Sequence, residues 1–243
     1  MAINKVGDAS SREEWLGIRK KYLGASTITG WIGPSSLPKK YGWFFEDNTR
    51  EGIIKEKFLG VEKEFHPYNV VSMAHGAHDE ENIIAKVGDM LGCPVEPDNS
   101  MFVNDEWPHI AATVDCFIGY DEHKAPGTNY CHDVEQVSNV LQGLSRLEPG
   151  DKTVLEIKKS VSVGWARNEV APYYWNQVQT QLHVLDLEFG VIAAECLFKH
   201  PKEKWRMFWD LRPFIIERDP RWAVTLDQCN EEFGVALDAH GNL

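Results

Sequence analysis

A chain of 243 residues that is 43% hydrophobic and 26% charged can bury a sizeable core, as one domain or as one domain carrying a large insertion. No apolar run approaches the roughly 18 residues of a membrane span, and the polar start Met1-Ala2-Ile3-Asn4-Lys5 lacks a signal-peptide core, which predicts a soluble, cytosolic protein. Five scattered cysteines without a C-x-x-C pair argue against a disulfide framework and against a zinc or iron-sulfur site, and the net charge of -12 weighs against nucleic acid, whose phosphates are bound by lysine and arginine.

The charge is unevenly spread. Residues 1–65 hold 11 basic and 9 acidic groups, residues 66–150 hold 3 and 14, and residues 151–243 hold 11 and 14. A basic amino-terminal third can still face phosphates locally while the carboxylates of the middle third hold cations.

In chain order, Ser11 ahead of Glu13 and Glu14 is a capping signature. The helix it opens has Trp15, Ile18 and Tyr22 along one side and Arg19, Lys20 and Lys21 as a basic cluster before Gly24. Gly24-Ala25-Ser26-Thr27 then reads as a small-residue turn opening a second helix, whose free N-H groups and Ser26 hydroxyl would offer an anion site beside Arg19. Lys39, Lys40 and the aromatic group Tyr41 to Phe45 could touch nucleic acid, but packing explains them as well, and a mixed-charge helix is expected near 48–58. From Met73 to Met90 the spacing predicts a helix with Ile83, Ile84 and Val87 inward. It carries Glu80 on that stripe, where an acid is costly unless it is paired or beside a cation. His75 and His78, three apart, could share a metal or simply sit at a partly exposed helix start.

Residues 107–120 read as a strand interrupted by Asp115, a residue type depleted in strand interiors. A buried carboxylate with a chemical task fits, as does a tight turn or an edge. Residues 121–152 look like a surface flap, with a short helix near 133–144 and a closing turn at Glu148-Pro149-Gly150-Asp151. The next run, Val154-Leu155-Glu156-Ile157-Lys158-Lys159, has strand character, so Glu156 and Lys158 share one face and Leu155 and Ile157 the other. A charged strand edge would give the same pattern. After it, Pro172 opens a helix with Gln177 and Gln181 one turn apart and Tyr174 a turn earlier. Strands follow at 190–198, 205–209 and 214–216, then a last helix at about 220–235.

These pieces together resemble the phage lambda-type exonucleases of the YqaJ viral recombinase family, within the PD-(D/E)xK nuclease fold. The resemblance rests on Glu14-Trp15 with Arg19 and Gly24-Ala25-Ser26; Gly76 followed by Glu80; Pro108 and Ala112-Thr113-Val114-Asp115; Leu155-Glu156-Ile157-Lys158; Tyr174 with Gln177-Val178-Gln179; and Ile216-Glu217-Arg218-Asp219. Cys116 departs from the family's usual glycine, and the 40 residues between Asp115 and Glu156 replace a short hairpin.

The resemblance implies an α/β fold, a PD-(D/E)xK nuclease-like core with a central mixed β-sheet flanked by helices, in a single domain 1–243 with a surface insertion at 121–152. It implies a metal-dependent deoxyribonuclease, a 5′-to-3′ exonuclease digesting one strand of linear double-stranded DNA for phage-type recombination. Asp115, Glu156 and the carbonyl of Ile157 would hold Mg2+, with Mn2+ as a substitute and two ions per site. Hard oxygen donors suit those metals. Lys158, Glu80 and Gln177 would serve catalysis, and Arg19, Ser26 and Thr113 a terminal 5′-phosphate. By the same resemblance the partners are DNA ends, a single-strand annealing protein and two further copies in a homotrimer, in the cytoplasm of a phage-infected or prophage-carrying host. The alternatives are an endonuclease of the same fold and a catalytically inactive DNA-end-binding protein.

Overall fold

The computed structural model describes residues 2–7, 12–33, 49–61, 67–121, 127, 131, 133–160, 170–199 and 207–240. In chain order the elements are β1 (Ile3–Gly7), α1 (Arg12–Arg19), β2 (Leu23–Gly24), α2 (Ile28–Ile32), α3 (Arg50–Phe58), α4 (Pro67–Leu91), β3 (Val95–Pro97), β4 (Met101–Asn104), β5 (Ile110–Thr113), β6 (Cys116–Ile118), α5 (Val134–Leu144), β7 (Thr153–Ser160), α6 (Pro172–Val184), β8 (Phe189–Lys199), β9 (Met207–Glu217) and α7 (Trp222–His240). The strands form two sheets, a four-stranded one in the order β1-β4-β5-β2 and a five-stranded one in the order β3-β6-β7-β8-β9. Both are mixed: β2 runs parallel to β5 and β7 parallel to β8, while the other pairs are antiparallel.

The five-stranded sheet is the centre because both of its faces are apolar. Leu155 and Ile157 of β7 with Val191 and Ala193 of β8 pack under α4 and α5, against Ile83, Val87, Val140 and Leu144. The alternate residues Val154, Ile192 and Ala194 face α6, against Val178 and Leu182. Such doubly covered strands are what a β-helix-β crossover between parallel strands produces. A separate cluster joins α2, α3 and α7 to the first sheet through Ile28, Trp31, Ile53, Ile110, Leu226 and Phe233. On the sheet's outer side, Trp15 and Ile18 of α1 and Tyr22 of the turn after it pack on Met101, Val103 and Ala111, the side predicted from their spacing.

The stretch 121–152 is not simply a surface flap. Its helix α5 has Val137, Val140, Leu141 and Leu144 on one stripe, and Val140 and Leu144 are fully buried. The strands expected at 205–209 and 214–216 fall on one continuous element, β9 (Met207–Glu217), and the last helix runs a turn further than its sequence predicted. All five cysteines are buried and none is in a disulfide. Among the described residues no helix is long and apolar enough to cross a membrane. Ser11, Lys39, Lys40 and the Tyr41 to Phe45 group lie outside the described residues, as does the side chain of His75.

Close packing of α6 on the central sheet gives a direct test of this layer. A Cβ added at Gly190 would lie 2.7 Å from Val154 Cγ2 and 3.2 Å from Leu182 Cδ2. Gly190→Ala is expected to destabilise the protein by about 1–3 kcal/mol, the usual cost of overpacking. Urea unfolding measures it, and an unchanged midpoint would contradict the packing.

Candidate active site

Strand alternation in β7 turns Val154, Glu156 and Lys158 toward α6. Glu156 is 1% exposed, so its charge must be compensated by neighbours rather than water. Lys158 Nζ and Gln177 Nε2 (2.5 Å) both donate to Oε1, and Gln181 Nε2 donates to Oε2 at 2.6 Å. Burial by itself would lower the pKa of Lys158, but Glu156 and Asp115 outweigh it and hold the ammonium charged well above its ordinary range. The ammonium also lies over the ring of Tyr174, 5.2 Å from its centroid. The Tyr174, Gln177 and Gln181 spacing on one helical face is what delivers all three to β7.

Asp115 stands where the chain leaves one sheet for the other, between the end of β5 and the start of β6. That explains the interruption seen in the sequence: it is a break between strands of different sheets. Pairing of β6 with β7 ends at Leu155, and Asp115 Oδ2 takes up the N-H of Ile157 at 3.0 Å in place of a further strand residue. A residue in an extended strand turns its N-H and C=O to the same edge. The Ile157 carbonyl therefore faces the edge where Asp115 lies. Burial first, then Glu156, push the Asp115 carboxyl above the usual carboxylate range, with Lys158 and the Ile157 N-H opposing. Glu80, half-buried on α4, is raised by burial and feels both Lys158 and Glu156. Its helix is fixed beside the site because Lys159 pairs with Asp79 and, at 3.5 Å, with Glu195, which in turn holds Lys86 at 2.6 Å.

The register of the first sheet supplies the other half. Gly24 of β2 pairs with Ala111 of β5, and the Ala25 N-H continues the ladder onto the Ala111 carbonyl. Two residues beyond that pair on each strand come Ser26 and Thr113, which face the same space. Arg19, at the end of α1, joins them with its guanidinium 5.0 Å from the centre of the Trp15 ring. Among the described residues this guanidinium has no hydrogen-bonding or ion-pair partner, and burial lowers its pKa, with Glu56 opposing. The helix α2 at the expected anion-binding start has only five residues, and the Ala25 and Thr27 N-H groups there are already spent on Ala111 and Gly24. The polar groups gathered here are the side chains of Arg19, Ser26 and Thr113.

A cavity of about 230 Å³ is lined by Arg19, Ser26, Thr113, Asp115, Glu156, Lys158 and Gln177, seven of the nine residues singled out from sequence. Glu80 and Ile157 adjoin it through Lys158 and Asp115. Gln181 was given no role in the sequence, yet it donates to both Glu156 and the Thr113 carbonyl (2.8 Å), so it clamps the two sheets together at this point. Its spacing from Gln177 was the available signal. His78 of α4 is exposed.

The donor set fits a hard divalent cation. Among the described residues no three or more His, Cys, Asp or Glu side chains are assembled into a cage. Two carboxylates and one carbonyl are nevertheless what magnesium commonly takes from a protein, since it keeps several of its waters. Burial and then the repulsion from Glu156, which together raise the Asp115 pKa, are what such a cation would offset.

Residues 14–188 match the profile of the YqaJ-like viral recombinase domain. The fold is similar to LHK-Exo in complex with dAMP, at a TM-score of 0.58 and 15% identity over 93% of each chain. It is also similar to an alkaline exonuclease (LHK-Exo) from Laribacter hongkongensis, at 0.53 and 17% over 93% of each chain. A phage related exonuclease from Haemophilus somnus 129PT matches at 0.54 and 13%, over 89% of this chain and 93% of that one. At these identities the likeness is one of fold, the nuclease fold with its mixed sheets flanked by helices. No curated protein sequence matches the chain.

Proposed function

Because the chain belongs to the YqaJ-like viral recombinase family, we propose that it is a metal-dependent deoxyribonuclease that digests one strand of linear double-stranded DNA from its 5′ end. One observation carries this reading: a single cavity joins an arginine and two hydroxyls to two carboxylates and a lysine. The first group suits a terminal phosphate and the second suits hydrolysis of the diester next to it. The exonuclease neighbours, named for that activity, support the same conclusion.

Asp115, Glu156 and the Ile157 carbonyl would hold Mg2+, with Mn2+ as a substitute and room for two ions. Bound there, the metal would acidify a water and neutralise charge on the phosphoryl oxygens. Lys158, kept charged by its acidic neighbours, orients the attacking water and stabilises the negative charge that develops in the transition state. Gln177 and Gln181 fix the Glu156 carboxylate so that its oxygens do not swing away. Glu80 adds negative potential from α4. Arg19 offers a planar fork of donors to the end phosphate, and Ser26 and Thr113 add hydroxyls. On this reading the chain is one nuclease domain acting in the host cytoplasm, assembling as a homotrimer and handing its single-stranded product to an annealing protein.

The test compares linear duplexes with 5′-phosphate or 5′-hydroxyl ends, and closed circular DNA, in magnesium. Digestion of linear DNA with a preference for phosphate is expected. Arg19→Ala should slow phosphorylated ends by about ten- to hundredfold, the worth of a charge-assisted contact, and shrink the preference. Equal slowing on both ends, or attack on closed circles, would favour the endonuclease.

A further inference from the structure

We propose that Lys57 is a second cation of the terminal-phosphate pocket, a positioning residue that holds the end of α1 in place and adds its charge behind Arg19. The inference rests on the reading of Arg19 as the phosphate anchor. Lys57 belongs to α3 and is only 9% exposed, a rare position for a lysine. Its Nζ donates to the backbone carbonyl of Arg19 at 2.8 Å, across 38 residues of sequence. That carbonyl closes α1, where a cation meets the negative end of the helix dipole. Among the described residues Lys57 has no carboxylate within ion-pair distance, and Arg19 has none either.

Two neighbouring cations, one buried and one half-buried, with no carboxylate in contact among the described residues and Glu56 only partly offsetting them, are costly to the fold. The arrangement makes sense if the anion is brought by the ligand. A terminal phosphate monoester carries close to two negative charges at neutral pH, whereas an internal diester carries one. A pair of cations therefore discriminates an end from the middle of a strand better than Arg19 alone. Lys57 does not line the cavity, so it acts through Arg19: it sets the helix end from which the guanidinium reaches, and raises the local positive potential.

The same surroundings make the second charge sensitive to pH. Burial first, then Arg19, push the Lys57 ammonium down to about 8, with Glu56 opposing. Of the elements packed against α3, α1 contributes Arg19, α2 has no charged side chain, and α7 contributes Glu232 and His240. Those two engage Arg50 and Phe58. Above that pH Arg19 loses the second charge behind it.

Fluorescence anisotropy of blunt duplexes with a 5′-phosphate or 5′-hydroxyl, without divalent metal so that nothing is cut, gives the affinity ratio for the two ends. Lys57→Met, which keeps the aliphatic stem, should reduce that ratio roughly fivefold, as expected for one partly screened charge near the phosphate. Lys57→Arg should keep more of the ratio than Lys57→Met. In the wild type the ratio should fall between pH 7 and pH 9.5. A ratio unchanged in Lys57→Met, equal losses in the two variants, or a wild-type ratio flat across that range would overturn the proposal, and the last holds even if a variant fails to fold. If Arg19→Ala loses the preference while Lys57→Met keeps it, only the role of Lys57 falls. A wild type with no preference removes the phosphate pocket itself.

Discussion

Asp115→Asn is expected to abolish cleavage and, in metal-free buffer at pH 8, to melt at a higher temperature than the wild type. The amide keeps the shape and can still accept the Ile157 N-H, but it removes a negative charge from beside Glu156. The native carboxyl is raised above its unfolded value. Between those two values the native chain binds a proton that the unfolded chain lacks, so stability from this group falls as pH rises. Asparagine has no proton to lose, and its melting temperature should vary less between pH 5 and pH 8. Added magnesium should stabilise the wild type and barely affect the variant, since ligand binding to the native state raises stability by mass action. Melting curves with magnesium and with chelator, alongside a digestion assay, check both parts. Retained cleavage would remove Asp115 from the metal site, and a variant that melts lower than the wild type at pH 8 would show that its carboxylate is not under repulsion.

Lys158→Met should lower cleavage by roughly a hundred- to a thousandfold on phosphate and hydroxyl ends alike, the typical cost of losing one electrostatic donor to a transition state. The ammonium is the cation closest to both Glu156 and Asp115 in the site. Without it the carboxylates face one another uncompensated, so the metal-free variant should be less stable than the wild type. Magnesium should then restore more stability to the variant than it adds to the wild type. Calorimetric titration separates the roles: a variant that no longer binds magnesium would make Lys158 part of the metal's support rather than a partner of the reacting water.

Much of this site was legible because it depends on local periodicity. The alternation of Leu155, Glu156, Ile157 and Lys158 told which residues share a face, and the spacing of Tyr174 and Gln177 placed both on one side of a helix begun by Pro172. What escaped depends on partners distant in sequence. Asp115 was visible as an intrusion, but the exchange of sheets beside it follows from strand order, which no local pattern encodes. The stripe of Val137, Val140, Leu141 and Leu144 was present, yet the turn residues around it made 121–152 look like an excursion from the fold. Lys57 sat in a helix of mixed charge that reads as solvated, and only the approach of Arg19 from α1 reveals its burial. Gln181 was equally hidden, since a buried amide is identical in sequence to an exposed one.

The clamp by Gln181 has a consequence for synthesis. On the proposed function, the grip on the end would lie largely in residues made early, Arg19 to Thr113, whereas the lysine and the second carboxylate arrive with β7, and the helix that ties them together arrives later still. A nascent or partly unfolded chain thus holds one half without the other, and domains generally complete folding as units as the ribosome releases them. Under that function, cutting competence would appear only once β7 and α6 have docked. An unfinished copy would, on the same proposed function, bind an end without cutting it.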